Sequence, residues 1–167
     1  SGNLPNPLNI IFWILGFSKV PFLNLLVLPI HPKNEPVRAH RVGWVMGAFF
    51  ALRRKVFDTT GGFDEELFMH LEEVEWSKRI KDQGYQVWYV PQIKAVHLHG
   101  ASTNFDLKNS FLNELKGMKY YLQKHYSSFY LPVKLFLILG LLLRIMAFSI
   151  LAKTKRARVY MEGLPYI

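Results

Sequence analysis

Residues 129–152 (FYLPVKLFLILGLLLRIMAFSILA) constrain the fold of this chain more than any other stretch. A run this apolar is not left in water. It either lies against a core or meets lipid, and it exceeds the roughly 20 residues that cross a bilayer as a helix. KTKRAR follows directly, and the positive-inside rule places such a basic tail in the cytoplasm. Arg144 interrupts the run, and at bilayer centre it would cost about 2.5–3.5 kcal/mol. The segment is therefore expected to lie in the membrane interface or to fold as a re-entrant hairpin near Gly140, with a core helix as the alternative. A second apolar run, residues 8–30, is broken by Gly16, Lys19, Pro21 and Asn24. It reads as two short helices packed on the core or resting on a membrane surface.

The remainder of the 167 residues suffices for one domain, and a chain opening on Ser1 reads as a piece of something longer. With no cysteine, disulfide frameworks, thiolate zinc sites and cysteine nucleophiles are excluded. The net charge of +9 and pI near 9.8 point to an anionic partner: a phosphorylated substrate, anionic lipid or nucleic acid. No helix carries a basic stripe and no glycine-aromatic recognition motif is present, so nucleic acid is not expected.

Against that basic background, half of the acidic side chains fall between Asp64 and Glu75. Clustered like charges need a cation, a metal or a helix N-terminus to offset them. A helix is predicted from about Leu71 to Gln83, closed by Gly84. Glu72, Glu73 and Glu75 then occupy its first turn and Lys78, Arg79 and Lys81 its end, as the helix dipole favours. At about 100° per residue, Glu72, Glu75 and Arg79 share one face, with Glu75 and Arg79 paired at i, i+4. Glu73 falls instead beside Trp76 and Ile80, the side chains expected to turn inward. A carboxylate partly desolvated there, yet supported by the helix N-terminus, suits a general base. The acidic stretch is thus either a reaction site or simply the acidic end of a helix.

Around this helix, residues 31–41 read as a mobile polar loop and residues 42–52 as a buried strand. Gly43 and Gly47 in that strand mark close approach by backbone or ligand. Arg53, Arg54 and Lys55 follow, either as a solvated turn or with one member reaching a phosphate, before a short helix at 56–60. Residues 85–90 alternate like a strand stopped by Pro91, and 93–99 like another. His97 and His99 share one face of the latter, where both can approach a metal or simply stand exposed. Residues 109–125 form an amphipathic helix, with Phe111, Leu112, Leu115, Met118 and Leu122 toward one side.

Residues 43–103 carry, in order, a Gly-Ala strand, an Arg-rich helix start, Gly-Gly-Phe-Asp-Glu, a Glu-Glu-x-Glu helix with Arg79, Gly-Tyr-x-x-x-x-x-Pro and a His-containing Gly-Ala-Ser turn. This ordered set resembles the second half of family 2 glycosyltransferases, especially rhamnosyltransferase-like members. The resemblance implies an α/β architecture: the C-terminal half of a GT-A domain, followed by amphipathic and hydrophobic membrane-associating helices. It implies inverting transfer of a sugar from a nucleotide-diphosphate donor to a hydroxyl of a glycan or lipid-linked acceptor. Glu73 then falls on the catalytic base, although the family usually has Asp there. Glu72 matches the preceding acid, Glu75 another acidic position, and Arg79 an arginine that orients acidic groups or the diphosphate. Gly47 and Asp64 match the acceptor side, and Trp76 and Arg53 complete the substrate-binding candidates. His97 matches a histidine that in some members joins a divalent metal, Mg or Mn, on the donor diphosphate.

The organisation expected on this basis is an apolar helical segment and loop (1–41), the acceptor and catalytic half (42–107), an amphipathic helix (108–128) and a membrane-associated segment with a basic tail (129–167). No Asp-x-Asp and no leading βαβ unit is present, so the chain is expected to be inactive without a donor-binding half. Sugar nucleotides are cytoplasmic, which places the protein at the cytoplasmic face of the cell membrane. A non-catalytic membrane-surface binding module that keeps the fold is the alternative.

Overall fold

The structure, a computed structural model, describes residues 1–17, 30, 37–96 and 107–167. Its helices are α1 (Pro7–Ile14), α2 (Arg54–Thr60), α3 (Glu72–Asp82), α4 (Leu107–His125), α5 (Ser127–Ile150) and α6 (Thr154–Gly163), and its strands are β1 (His40–Val42) and β2 (Val87–Tyr89). The described residues are thus mixed helical with few strands. The two strands pair antiparallel, His40 opposite Tyr89 and Val42 opposite Val87.

Local chemistry sets several boundaries. Asn6 and Asn9 cap α1 reciprocally, side chain to backbone at 3.0 and 2.7 Å, and Pro7 occupies the first helical position, where its missing N–H costs nothing. Gly84, at φ 82°, closes α3 as its position in the sequence predicts. The predicted helix at 56–60 begins two residues early, at Arg54, and the amphipathic helix expected at 109–125 is α4.

Two apolar clusters hold the elements together. The larger joins Ile10 and Ile14 of α1, Trp44, Leu71 and Val74, the apolar side of α4 and Val133, Leu137 and Leu141 of α5. The smaller packs Val42, Val56, Trp76, Ile80 and Val87. The N-terminal segment and α5 therefore share a core with the region between them.

Several expectations are corrected. Only Val42 of the predicted 42–52 strand is in β1. Gly43 and Trp44 donate instead to the Gly2 carbonyl, at 2.7 and 3.1 Å. A Cβ on Gly43 would lie 2.2 Å from the Leu4 nitrogen, so the close approach expected there is made by the chain's own N-terminal segment. After β2, residues 91–96 form a turn and irregular backbone, so the described part of the predicted 93–99 strand is not a strand. The second short helix expected before residue 30 and most of the loop at 31–41 lie outside the described residues.

The hairpin expected at Gly140 is also overturned, because α5 runs unbroken through it. Gly140 serves packing instead. A Cβ there would sit 2.6 Å from Ile14 Cγ1 and 3.0 Å from the Ile14 carbonyl oxygen. Arg144, one turn on, donates to the Ile14 and Gly140 carbonyls. Its cation thus meets the negative end of the α1 dipole, which explains an arginine inside an apolar run. Gly140→Leu should wedge α1 from α5 and cost about 1–3 kcal/mol, read as a lowered denaturation midpoint. An unchanged midpoint would show that the two helices do not pack as described.

Candidate functional site

Two carboxylates two positions apart on α3 meet opposite environments. Glu75 is fully buried. Arg79 Nε donates to both of its oxygens at 3.0 and 2.9 Å, Lys124 Nζ lies 2.8 Å from Oε1 and His125 Nε2 3.1 Å from the same atom. Burial alone would raise its pKa, but the bonds from His125, Lys124 and Arg79 outweigh burial and hold Glu75 at about 2. Arg79 also donates to the Thr60 carbonyl and, at 2.6 Å, to that of Gly62, so it clamps the Gly61-Gly62 turn.

Asp64 joins the same network. Lys124 bridges it to Glu75, Tyr120 donates to its Oδ2 at 2.7 Å and the Glu66 amide to Oδ1 at 3.1 Å. Burial again opposes ionisation, and the bonds from Lys124 and Tyr120 prevail, holding Asp64 at about 2. Both carboxyls are lowered from 3.8 and 4.5. Their stabilisation is therefore complete above those values and is lost as pH falls through about 2. Acid titration followed by circular dichroism should show unfolding that begins below about pH 4 and shifts to higher pH in Lys124→Met. An acid transition unmoved by that substitution would contradict the network.

Glu73 stands apart. A Cβ on Gly47 would lie 3.9 Å from Glu73 Cβ and 3.9 Å from Phe63, ordinary contact distances that place Gly47 against the start of α3. The side chain accepts from its own amide and from that of Gly47. Burial outweighs these bonds and, together with the nearby Glu72 charge, raises its pKa. Oε2 of Glu73 and Oε2 of Glu72 are buried without a partner among the described residues. Glu73 lines a cavity of about 110 Å³ together with Trp13, Trp44, His70, Val74 and Glu114. That volume holds a few water molecules or the hydroxyl-bearing edge of a sugar. Burial also raises the pKa of Glu114, with His70 opposing it, and His70 lies 2.7 Å from Ser110 Oγ. His70 and Leu71 both adopt left-handed backbone just before α3, at φ 69° and 68°. Such conformations cost energy away from glycine and are tolerated where the surroundings impose them.

The structure therefore brings together Glu73, Glu72 and Gly47 on one side, and Asp64, Glu75 and Arg79 on the other. Glu73 and Trp76, three positions apart on α3, both lie toward Phe63: a Cβ on Gly47 would be 3.9 Å from Glu73 and from Phe63, and Phe63 packs edge-on to Trp76 at 5.0 Å. Trp76 is 5% exposed, stacked on Phe50 at 5.2 Å with its Nε1 donating to Thr60, and so belongs to the smaller core. Arg53 is exposed at the start of α2. Sequence reasoning missed Glu114, His70, Tyr120, Lys124 and His125. Glu114 had a signal, since it falls near Phe111, Leu115 and Met118 on the apolar side of an otherwise lysine-rich helix. His97 and His99 lie outside the described residues, and among those described no three His, Asp or Glu side chains come close enough to hold a metal. The described side chains thus do not by themselves fit a divalent ion.

Comparison with known proteins decides the relationship. Over 88 residues, 47% of the chain, it is 34% identical to the N-acetylglucosaminyl-diphospho-decaprenol L-rhamnosyltransferase of Mycobacterium tuberculosis. Part of this chain is rhamnosyltransferase-like. The chain is also 26% identical over 115 residues, 69% of its length, to Rhamnosyltransferase WbbL of Escherichia coli K12. It is 32% identical over 99 residues, 58% of its length, to the O-antigen biosynthesis protein RfbC of Myxococcus xanthus. It spans 29% of the mycobacterial relative, 40% of WbbL and 8% of RfbC. No family model matches it, and no solved structure gives a significant match.

Proposed function

We propose that this chain contributes the acceptor side and catalytic base of a glycosyltransferase of polysaccharide or cell-wall synthesis, at the cytoplasmic face of the cell membrane. The observation that carries the reading is Glu73, a carboxyl with a raised pKa and an unpartnered buried oxygen, lining a cavity walled by two tryptophans. A base of raised pKa is matched to taking a hydroxyl proton near neutrality. Indole faces offer the apolar surface on which the C–H side of a sugar ring packs. In this reading the acceptor hydroxyl, its proton passing to Glu73, attacks the anomeric carbon and displaces the nucleotide diphosphate with inversion, on a GT-A domain.

Asp64, Glu75 and Arg79 act indirectly. They fix the Gly61-Gly62 turn and the start of α3 against α4, and so hold Glu73 in place. Mg or Mn enters only through the family resemblance, with His97 as the candidate ligand, and no step here depends on it. The relatives' names suggest the substrates to try. Joined to a donor-binding half, the chain should convert nucleotide-diphosphate-linked rhamnose and lipid-diphosphate-linked N-acetylglucosamine to a rhamnosylated lipid of inverted anomeric configuration, whereas these 167 residues alone should transfer nothing. A retained configuration would overturn the mechanism, transfer by the 167 residues alone would overturn the need for a donor half, and no transfer by the joined protein with acceptor bound would favour a non-catalytic binding module.

A further inference from the structure

Glu114 of α4 is a carboxyl that the transfer mechanism leaves unused. It lines the same cavity of about 110 Å³ as Glu73, although the two stand on different helices. Its neighbours Leu115 and Met118 are buried in the larger core. A carboxyl in that setting is disfavoured as an anion, and burial raises its pKa. Among the described residues no donor bonds it, and His70 alone offsets the burial electrostatically. A ligand hydroxyl that supplied the missing bond would therefore bind the more tightly.

The backbone holds Glu114 in fixed relation to Glu73. Ser110 and Glu114, four positions apart, and Gly117, three further on, lie along one side of α4. Ser110 Oγ lies 2.7 Å from His70 Nε2, and a Cβ on Gly117 would be 3.1 Å from the His70 carbonyl oxygen. Both ends of this row thus seat against the left-handed His70–Leu71 corner. From that corner α3 begins, the Leu71 carbonyl accepting from the Glu75 amide at 2.8 Å. One corner therefore sets both carboxyls.

The lining chemistry selects the occupant. Trp13 and Trp44 supply apolar walls, and Glu73, Glu114 and His70 supply polar groups. Two carboxyls repel a phosphate, and the volume falls short of the roughly 300 Å³ at which pockets for larger ligands begin. A neutral polyol edge fits both limits, since its hydroxyls donate to carboxyl oxygens and its C–H face packs on indole. We infer that Glu114 is a second substrate-binding carboxyl, which takes a hydroxyl of the acceptor sugar other than the one that Glu73 deprotonates. This rests on the acceptor-side reading of the cavity proposed above, and adds the residue that selects which sugar edge enters it.

The test is calorimetric titration of the protein with farnesyl-diphosphate-linked N-acetylglucosamine and with analogues that each lack one sugar hydroxyl. Two analogues should bind wild type about 10-fold more weakly than the parent compound. Glu114→Leu should bind the parent about 10-fold more weakly as well. Against this variant one of the two analogues should lose nothing further, and the other should still lose its full share. Leucine suits the apolar setting, so the melting temperature should not fall. Glu114→Gln keeps the shape and one acceptor oxygen, and should show the same pairing at reduced size. In the enzyme joined to its donor-binding half, Glu114→Leu should raise the acceptor KM with kcat little changed, the reverse of Glu73→Gln. Losses that add for every analogue, or parent binding unchanged in Glu114→Leu, would overturn the contact and leave the acceptor-side reading standing. A fall in kcat with KM unchanged would overturn the binding role. No binding of the parent by wild type would overturn the acceptor-side reading and this assignment together.

Discussion

In an enzyme that joins this chain to its donor-binding half, Glu73→Gln should lower the rate of sugar transfer by about 10²–10⁴-fold while leaving donor affinity unchanged. The substitution is nearly isosteric and keeps an acceptor oxygen for the Gly47 amide, but it removes the basic oxygen. It should not unfold the protein. Burial already disfavours the Glu73 charge, and its Oε2 has no partner among the described residues, so replacing a disfavoured anion with an amide is neutral or mildly stabilising. A lost rate with an unchanged melting temperature is therefore the specific outcome. Wild-type kcat should fall on acidification through a pKa above the ordinary glutamate value, since only ionised Glu73 accepts the proton. Retained turnover in Glu73→Gln would refute the assignment.

Glu75→Ala should produce the largest change in stability, about 3 kcal/mol, and lower the melting temperature by roughly 10 °C. Its carboxylate is the only anion shared by Arg79, Lys124 and His125 among the described contacts, and it is fully buried. Removing it leaves Arg79, Lys124 and His125 crowded without their shared anion, while Lys124 keeps Asp64 and Arg79 keeps the Thr60 and Gly62 carbonyls. Arg79 and Lys124 retain 24% and 32% side-chain exposure, so water recovers part of the loss, which places the effect at the low end for a broken buried pair. Transfer should fall as well, because the Gly61-Gly62 turn loses its clamp when Arg79 is released. The thermal shift separates this variant from Glu73→Gln. A melting temperature within about 2 °C of wild type would show that the network contributes little.

These two glutamates also show where sequence reading succeeds and where it stops. Helical periodicity identified α3, its closing Gly84 and the Glu75–Arg79 pair, because each depends on residues within a turn or two. The same periodicity picked Glu73 as the desolvated carboxylate near Trp76, but it did not show that Trp76 itself packs in an aromatic cluster with Phe50 and Phe63. Glu75 read as one half of a surface ion pair, since Lys124 and His125 lie some fifty positions further on. The 42–52 strand failed for a related reason. Its backbone partner is Gly2, and no local pattern announces that pairing.

The apolar run that constrains this chain most strongly was legible as a helix, and its length and composition alone required a large apolar contact. What covers that contact was not legible. Only the packing of Gly140 on Ile14, and of Arg144 on the end of α1, shows that one side of α5 belongs to the core. The sequence by itself determined α3, α4, most of α2 and the family resemblance, because those follow from short-range periodicity and ordered motifs. Tertiary structure alone decided which carboxylate is neutralised by cations and which is buried with an unpartnered oxygen, and which side of α5 stays open. Desolvation and ion pairing depend on atoms brought together from distant parts of the chain.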